Sequence, residues 1–121
     1  MTYSHLGHFV LTTTLLPLLK HTASLPSSDV RVVTLSSIQH SSASNDVSFI
    51  DRSAWNKHGD ETGANLKWAM SARYSKAKLA NLLFAKELQR RVDRDGVPII
   101  SVAVHPGAAG TGEHGTIFLI L

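Results

Sequence analysis

Tyr74 and Lys78 stand four residues apart in the segment Tyr74-Ser75-Lys76-Ala77-Lys78. On a helix that spacing puts both side chains on one face. An ammonium held beside a phenol favours the phenolate. A free phenol titrates at about 10 and is a poor acid or base at neutral pH. One beside an ammonium can shuttle a proton. The alternative is an ordinary surface tyrosine and lysine, and spacing alone does not separate the two. A second candidate set lies upstream, where the apolar run Val30-Arg31-Val32-Val33-Thr34-Leu35 ends in Ser36-Ser37. A third lies downstream, where Pro98-Ile99-Ile100-Ser101-Val102-Ala103-Val104 ends in His105-Pro106-Gly107. Open α/β sheets collect ligands at the carboxyl ends of parallel strands. A strand-end serine can also do no more than satisfy neighbouring backbone groups.

The elements that must position these residues can be read from periodicity. Residues 3 to about 21 read as a helix, with Leu6, Phe9, Val10, Leu15, Leu16 and Leu19 at helical spacing. Three threonines lower its propensity, and Pro17 would end it near Leu16. Ser24 to Asp29 is turn-rich. Residues 30 to 36 form a strand without polar alternation, which suits a sheet covered on both faces. Residues 41–65 form a long, polar, irregular connection with Phe49 and Trp55 as isolated apolar anchors. Residues 66 to 93 give the strongest helix. Ala72, Leu79, Leu82, Leu83, Phe84 and Leu88 supply its stripe, and Ala77, Ala80 and Ala85 allow close packing. Gly96 stops it and Pro98 opens the next strand.

Composition narrows the function classes. A chain of 121 residues with 43% hydrophobic content is one domain at most. The net charge of +3 is concentrated on the second helix, at Lys76, Lys78, Lys86, Arg90, Arg91 and Arg94. Glu87, Asp93 and Asp95 offset it and no aromatic platform interleaves it, so it reads as a solvated face rather than a nucleic-acid surface. The absence of cysteine excludes disulfides and thiolate chemistry. The apolar stretch Phe9 to Leu19 is too short to span a bilayer and reads as a buried helix, with cytoplasmic location as the default. His5 and His8 share a helical face, but no third ligand is placed near them, so packing and hydrogen bonding are their expected roles. Gly107, Gly110, Gly112 and Gly115 lack a convincing helix start after them and read as a flexible loop rather than a phosphate loop.

Taken in order, these segments resemble the C-terminal catalytic half of a short-chain dehydrogenase/reductase, in its retinol-dehydrogenase-like and WW-domain-oxidoreductase-like branch. The opening Ser4-His5-Leu6-Gly7-His8-Phe9 resembles the start of that family's long central helix. The resemblance covers roughly residues 3 to 111. It implies an α/β, partial Rossmann-type fold with a parallel sheet truncated at both ends. It implies that the first helix continues past Pro17 to about His21. The implied activity is hydride transfer between NAD or NADP and a carbonyl or alcohol. Tyr74 would be the general acid or base, and Lys78 would favour its phenolate and bond the nicotinamide ribose. Ser37 would bond the substrate oxygen, with Ser36 structural. Pro106, Gly107 and Thr111 would line the cofactor side. The helices at 3–21 and 66–93 would be able to pack against a partner subunit, as a homo- or hetero-dimer.

The chain also departs from the family. Ser4 stands where the family has an asparagine that supports a water in its proton relay. No strand, Gly-rich turn and helix precede the central helix, so the dinucleotide-binding half is absent from residues 1–121. Residues 112–121 form an atypical apolar tail. These departures predict weak dinucleotide binding, and an alternative role as a non-catalytic binder of a full-length relative.

Overall fold

In the computed structural model, described at residues 2–44, 49, 66–107 and 118–120, two helices cover one face of a three-stranded sheet. A π-turn, Thr2–Leu6, leads into α1, Gly7–Ala23. Strand β1 is Val30–Leu35, followed by a 3-10 turn at Ile38–Ser42. The long helix α2 is Leu66–Arg94, and it delivers the chain to β2, Ile99–His105. A short β3, Phe118–Ile120, closes the order β1-β2-β3.

β1 and β2 pair in parallel, from Val30 opposite Ile99 to Leu35 opposite Val104. A parallel pair needs a crossover, and α2 lies within it. The resemblance's α/β architecture is therefore present. The tail adds something not read from the sequence: Phe118–Ile120 pairs antiparallel with Ala103–His105.

Helix α1 runs through Pro17 to Ala23, two residues beyond the expected end. Proline lacks the N–H of an interior helix bond, and the helix absorbs that loss. The Thr13 hydroxyl donates to the Phe9 carbonyl at 2.8 Å, and Thr22 to that of Leu18 at 3.0 Å. Helix α2 ends where Gly96 adopts φ 65°. Val97 N–H bonds the Val92 carbonyl and Gly96 N–H that of Asp93, the paired bonds of a Schellman stop.

The core joins Ala23, Val30, Leu88, Val92 and Ile99, flanked by Leu16, Leu19, Val32, Phe84 and Val97. Three expectations need correction. First, α1 is not a buried helix: among its described residues only Ala23 is buried, and Phe9, Val10, Leu11, Leu15 and Leu18 are exposed. Second, the sheet is covered on one face. Val33, Leu35 and Ile100 point to the open side, so the unbroken apolar run reports two apolar faces of which these helices cover one. Third, Lys76 is not part of a solvated basic face but is 7% exposed, with its ammonium 5.7 Å from the Phe49 ring centroid. The close packing of α2 falls to alanines at 69, 77, 80 and 85, while Leu83 is exposed.

Candidate active site

The end of β1, the first half of α2 and the π-turn meet in one cluster of polar groups. Ser36 extends the ladder by donating its N–H to the Val104 carbonyl at 2.8 Å. Its hydroxyl donates to the Lys78 backbone carbonyl, also at 2.8 Å, and fixes the end of β1 against α2. Ser37 is buried, with its hydroxyl oxygen accepting from Gln39 N–H at 3.3 Å as the cap of the 3-10 turn. The Ser37 carbonyl accepts both His40 N–H and His40 Nδ1, so that ring nitrogen carries the hydrogen. Ser37 thus sits just beyond the carboxyl end of a parallel strand, and its hydroxyl already serves the backbone.

Tyr74 is 44% exposed on α2, and the Lys78 ammonium lies 5.4 Å from its ring centroid. The helical spacing thus does bring cation and phenol ring together. Lys78 Nζ donates to the Leu35 carbonyl at 3.1 Å, which ties the ammonium to the end of β1. At the end of β2, Pro106 is exposed and Gly107 takes φ 86°, where a side chain is disfavoured. Just before it, His105 Nδ1 is buried with no hydrogen-bond partner among the described residues. Thr111, the later glycines and most of the 41–65 connection lie outside the described residues.

Ser4 enters differently from expectation. Its side chain is exposed, and its backbone carbonyl accepts from Asn81 Nδ2 at 3.0 Å. A carbonyl is present whatever the residue type, so serine keeps this contact. Asn81 itself was missed by sequence reasoning. It is 2% exposed, and its Nδ2 also donates to the Leu35 carbonyl at 2.9 Å. With both Nδ2 hydrogens used, its Oδ1 must accept from His5 Nδ1 at 2.9 Å, so His5 carries its hydrogen there. The available signal was Lys78-x-x-Asn81, one turn further along the same helical face. The His5 ring also meets Phe9 at a tilt and Phe84 edge-on, in a cluster of three rings, while His8 is exposed. Among the described residues no group of three His, Cys, Asp or Glu could hold a metal.

A groove of about 390 Å³ elsewhere, lined by Lys86, Gln89, Arg90, Asp93, Ser101 and Val102, contains none of these residues. Its polar wall is structural: Gln89 Oε1 accepts Ser101 N–H at 2.6 Å and its Nε2 donates to Asp93 at 2.7 Å.

A strand-end serine, a tyrosine and lysine one turn apart, and a glycine turn after the neighbouring parallel strand are thus held on one scaffold. Comparison with known proteins bears on the family of the chain. The chain is 44% identical over 118 residues to a short chain dehydrogenase/reductase of Colletotrichum higginsianum, covering 92% of this chain and 28% of that protein. It belongs to the short-chain dehydrogenase/reductase family. Retinol dehydrogenase 13 of Homo sapiens is 40% identical over 121 residues, covering 95% of this chain and 31% of the relative. A crystal structure of an uncharacterised protein from Mycobacterium paratuberculosis superposes with a TM-score of 0.58 at 35% identity, covering 88% of this chain and 32% of that one. No family model matches. The chain spans about a third of the length of these relatives. No helix among the described residues is long and apolar enough to cross a membrane.

Proposed function

We propose that this chain carries the catalytic segment of an NAD(P)-dependent oxidoreductase acting on a small carbonyl or alcohol, with cytoplasmic location. The observation that supports it most is Lys78 suspended between the Tyr74 ring and the Leu35 carbonyl, beside the serine-bearing end of β1. The residues fit the nicotinamide end of a dinucleotide. Lys78 offers hydrogen-bond donors for a ribose hydroxyl, and the Gly107 turn, free of a side chain, allows close approach of backbone to a planar ring. When bound, the nicotinamide supplies or takes the hydride. The chain's part is to orient and to move a proton. The Tyr74 hydroxyl gives a proton to the carbonyl oxygen in reduction and takes it back in oxidation. The Lys78 ammonium is held beside the Tyr74 ring, where it faces the phenol that moves the proton. The Ser37 hydroxyl donates its hydrogen to the same substrate oxygen, while its own oxygen goes on accepting Gln39 N–H. Thr111 and Pro106 complete the cofactor side of this reading.

The test replaces the matching segment of a full-length relative with residues 3–107 of this chain and follows NAD(P)H oxidation with a panel of aldehydes. Retained turnover that falls about 10²–10⁴-fold on Tyr74→Phe is the expected result, the usual contribution of a positioned acid or base. Turnover indifferent to Tyr74 and Lys78 would overturn it. The 121-residue chain alone should bind NADPH weakly, and micromolar affinity measured by cofactor fluorescence would overturn that part.

A second reading rests on the exposed apolar side chains of both helices, Phe9, Val10, Leu11, Leu15 and Leu18 on α1 and Trp68 and Met70 on α2. Exposed apolar side chains on these helices are the surface that a partner would cover. On this reading the chain associates with a full-length relative without turnover. A stable hetero-dimer that oxidises no NADPH would favour it.

A further inference from the structure

We propose that Asn81 is a positioning residue for Lys78, acting through the Leu35 carbonyl that both side chains share. This rests on the reading that the Lys78 ammonium serves Tyr74. The Leu35 carbonyl has two lone pairs and receives two donors from one helix face, Lys78 Nζ at 3.1 Å and Asn81 Nδ2 at 2.9 Å. Leu35 is the last residue of β1, and its side chain is exposed on the open face of the sheet. Side-chain packing does not orient its carbonyl: the Ser36 N–H bond to Val104 holds the same peptide unit from the sheet side, and α2 supplies both donors that the carbonyl receives. Asn81 completes that orientation from the helix side, because its carboxamide is itself fixed at three points. Nδ2 spans the Leu35 and Ser4 carbonyls, and Oδ1 receives His5. The carboxamide is buried, so without it the Ser4 carbonyl and His5 Nδ1 lose this partner and the Leu35 carbonyl keeps Lys78 of its two helix donors. Asn81 thus locks the π-turn, the strand end and α2 to one another, and leaves one lone pair of Leu35 aimed at Lys78. In the Asn81→Leu variant the two carbonyls lose their shared donor; Ser36 still holds the strand end to α2, but the Leu35 carbonyl is left with Lys78 as its sole donor from the helix and the Lys78 anchor loosens.

Lysine acylation under limiting reagent, read residue by residue by mass spectrometry on the folded chain, tests this without any activity. In Asn81→Leu the Lys78 rate should rise about fivefold, the factor carried by loss of one ordinary hydrogen bond. Exposed Lys67 and Lys86 should keep their rates, and buried Lys76 should stay slow as the internal check on unfolding. His5→Phe, which leaves both carbonyl bonds of Asn81 in place, should leave Lys78 unchanged. An unchanged Lys78 in Asn81→Leu overturns the proposal. So does an equal rise at every lysine, or a His5→Phe effect as large as that of Asn81→Leu. Should Asn81→Leu not fold, NMR on the wild-type chain decides. Two bonded Nδ2 hydrogens exchange slowly with solvent, and fast exchange of that pair overturns the assignment. If the Lys78 rate responds as expected while the chimeric enzyme is indifferent to Lys78, the positioning stands and the catalytic reading fails.

Discussion

Between Ala69 and Ala85, α2 buries Ser75, Lys76 and Asn81 among alanines; between Leu88 and Arg94 it buries only Leu88 and Val92 and surrounds them with exposed ions. The same helix thus uses two kinds of physics. In its first half, small side chains let the strand end and the π-turn come close, and buried polar groups are tolerated because they find partners. Asn81 is bonded across to Leu35 of β1, and the Lys78 backbone to Ser36 just after it. In its second half, apolar contact with β1 and β2 supplies the cohesion, and the charged residues pair with one another at the surface. Glu87 bridges Arg90 and Arg91, and Asp95 receives Lys20 and Arg94. One half orients groups and the other anchors the helix. Substitutions in the two halves should therefore fail in different ways.

The largest effect on folding should come from the anchoring half. Ile99 is 2% exposed in the core beneath Leu88 and Val92. Ile99→Ala should cost roughly 2–5 kcal/mol, read from the urea midpoint, by lost burial plus the cavity left behind. A change below about 1 kcal/mol, within the range of surface substitutions or little above it, would mean that this core is not the anchor. The orienting half should respond more mildly. Ser37→Ala removes the cap of the 3-10 turn, and helix caps are worth about 1 kcal/mol. The 3.3 Å bond places it at the low end of that range. In the chimeric enzyme the same variant should lose more turnover than this stability change explains. Equal losses would reduce Ser37 to its local role.

Much of this contrast was legible in the residues, and the illegible parts have physical reasons. The spacing of Tyr74 and Lys78, the Gly96 stop and the parallel strands follow from helical geometry, left-handed backbone and β-branched runs. The continuation of α1 past Pro17 was not readable from propensity and came from the family resemblance. Asn81 was invisible because its three partners lie 46 to 77 residues away in sequence or on backbone atoms, and no periodicity reports a carbonyl. The burial of Lys76 was hidden for a similar reason: a lysine on a basic stretch reads as solvated until Phe49, far along the chain, is brought beside it. The antiparallel Phe118–Ile120 strand is three residues long, below the length at which alternation carries information.

The smallest effect, and the one that most sharpens the contrast, concerns Glu87. Its hydrogen bonds from Arg90 and then Arg91 hold the carboxyl at about 2, below its ordinary 4.5. A carboxylate whose pKa is lower in the folded chain adds stability above its unfolded value and loses it as pH falls. The Glu87 contribution is therefore complete above about 4.5 and disappears on descending toward about 2. Yet all three side chains are largely exposed, between 44% and 62%, where solvent and salt screen the pairs. Glu87→Gln should move the urea midpoint at pH 7 far less than Ile99→Ala does. Its difference from the wild type should shrink as pH falls through that window, and it should also shrink in high salt. A Glu87→Gln loss at pH 7 that rivals Ile99→Ala, or that persists unchanged at pH 2, would show that the ion pairs rather than the apolar contacts anchor the second half of α2.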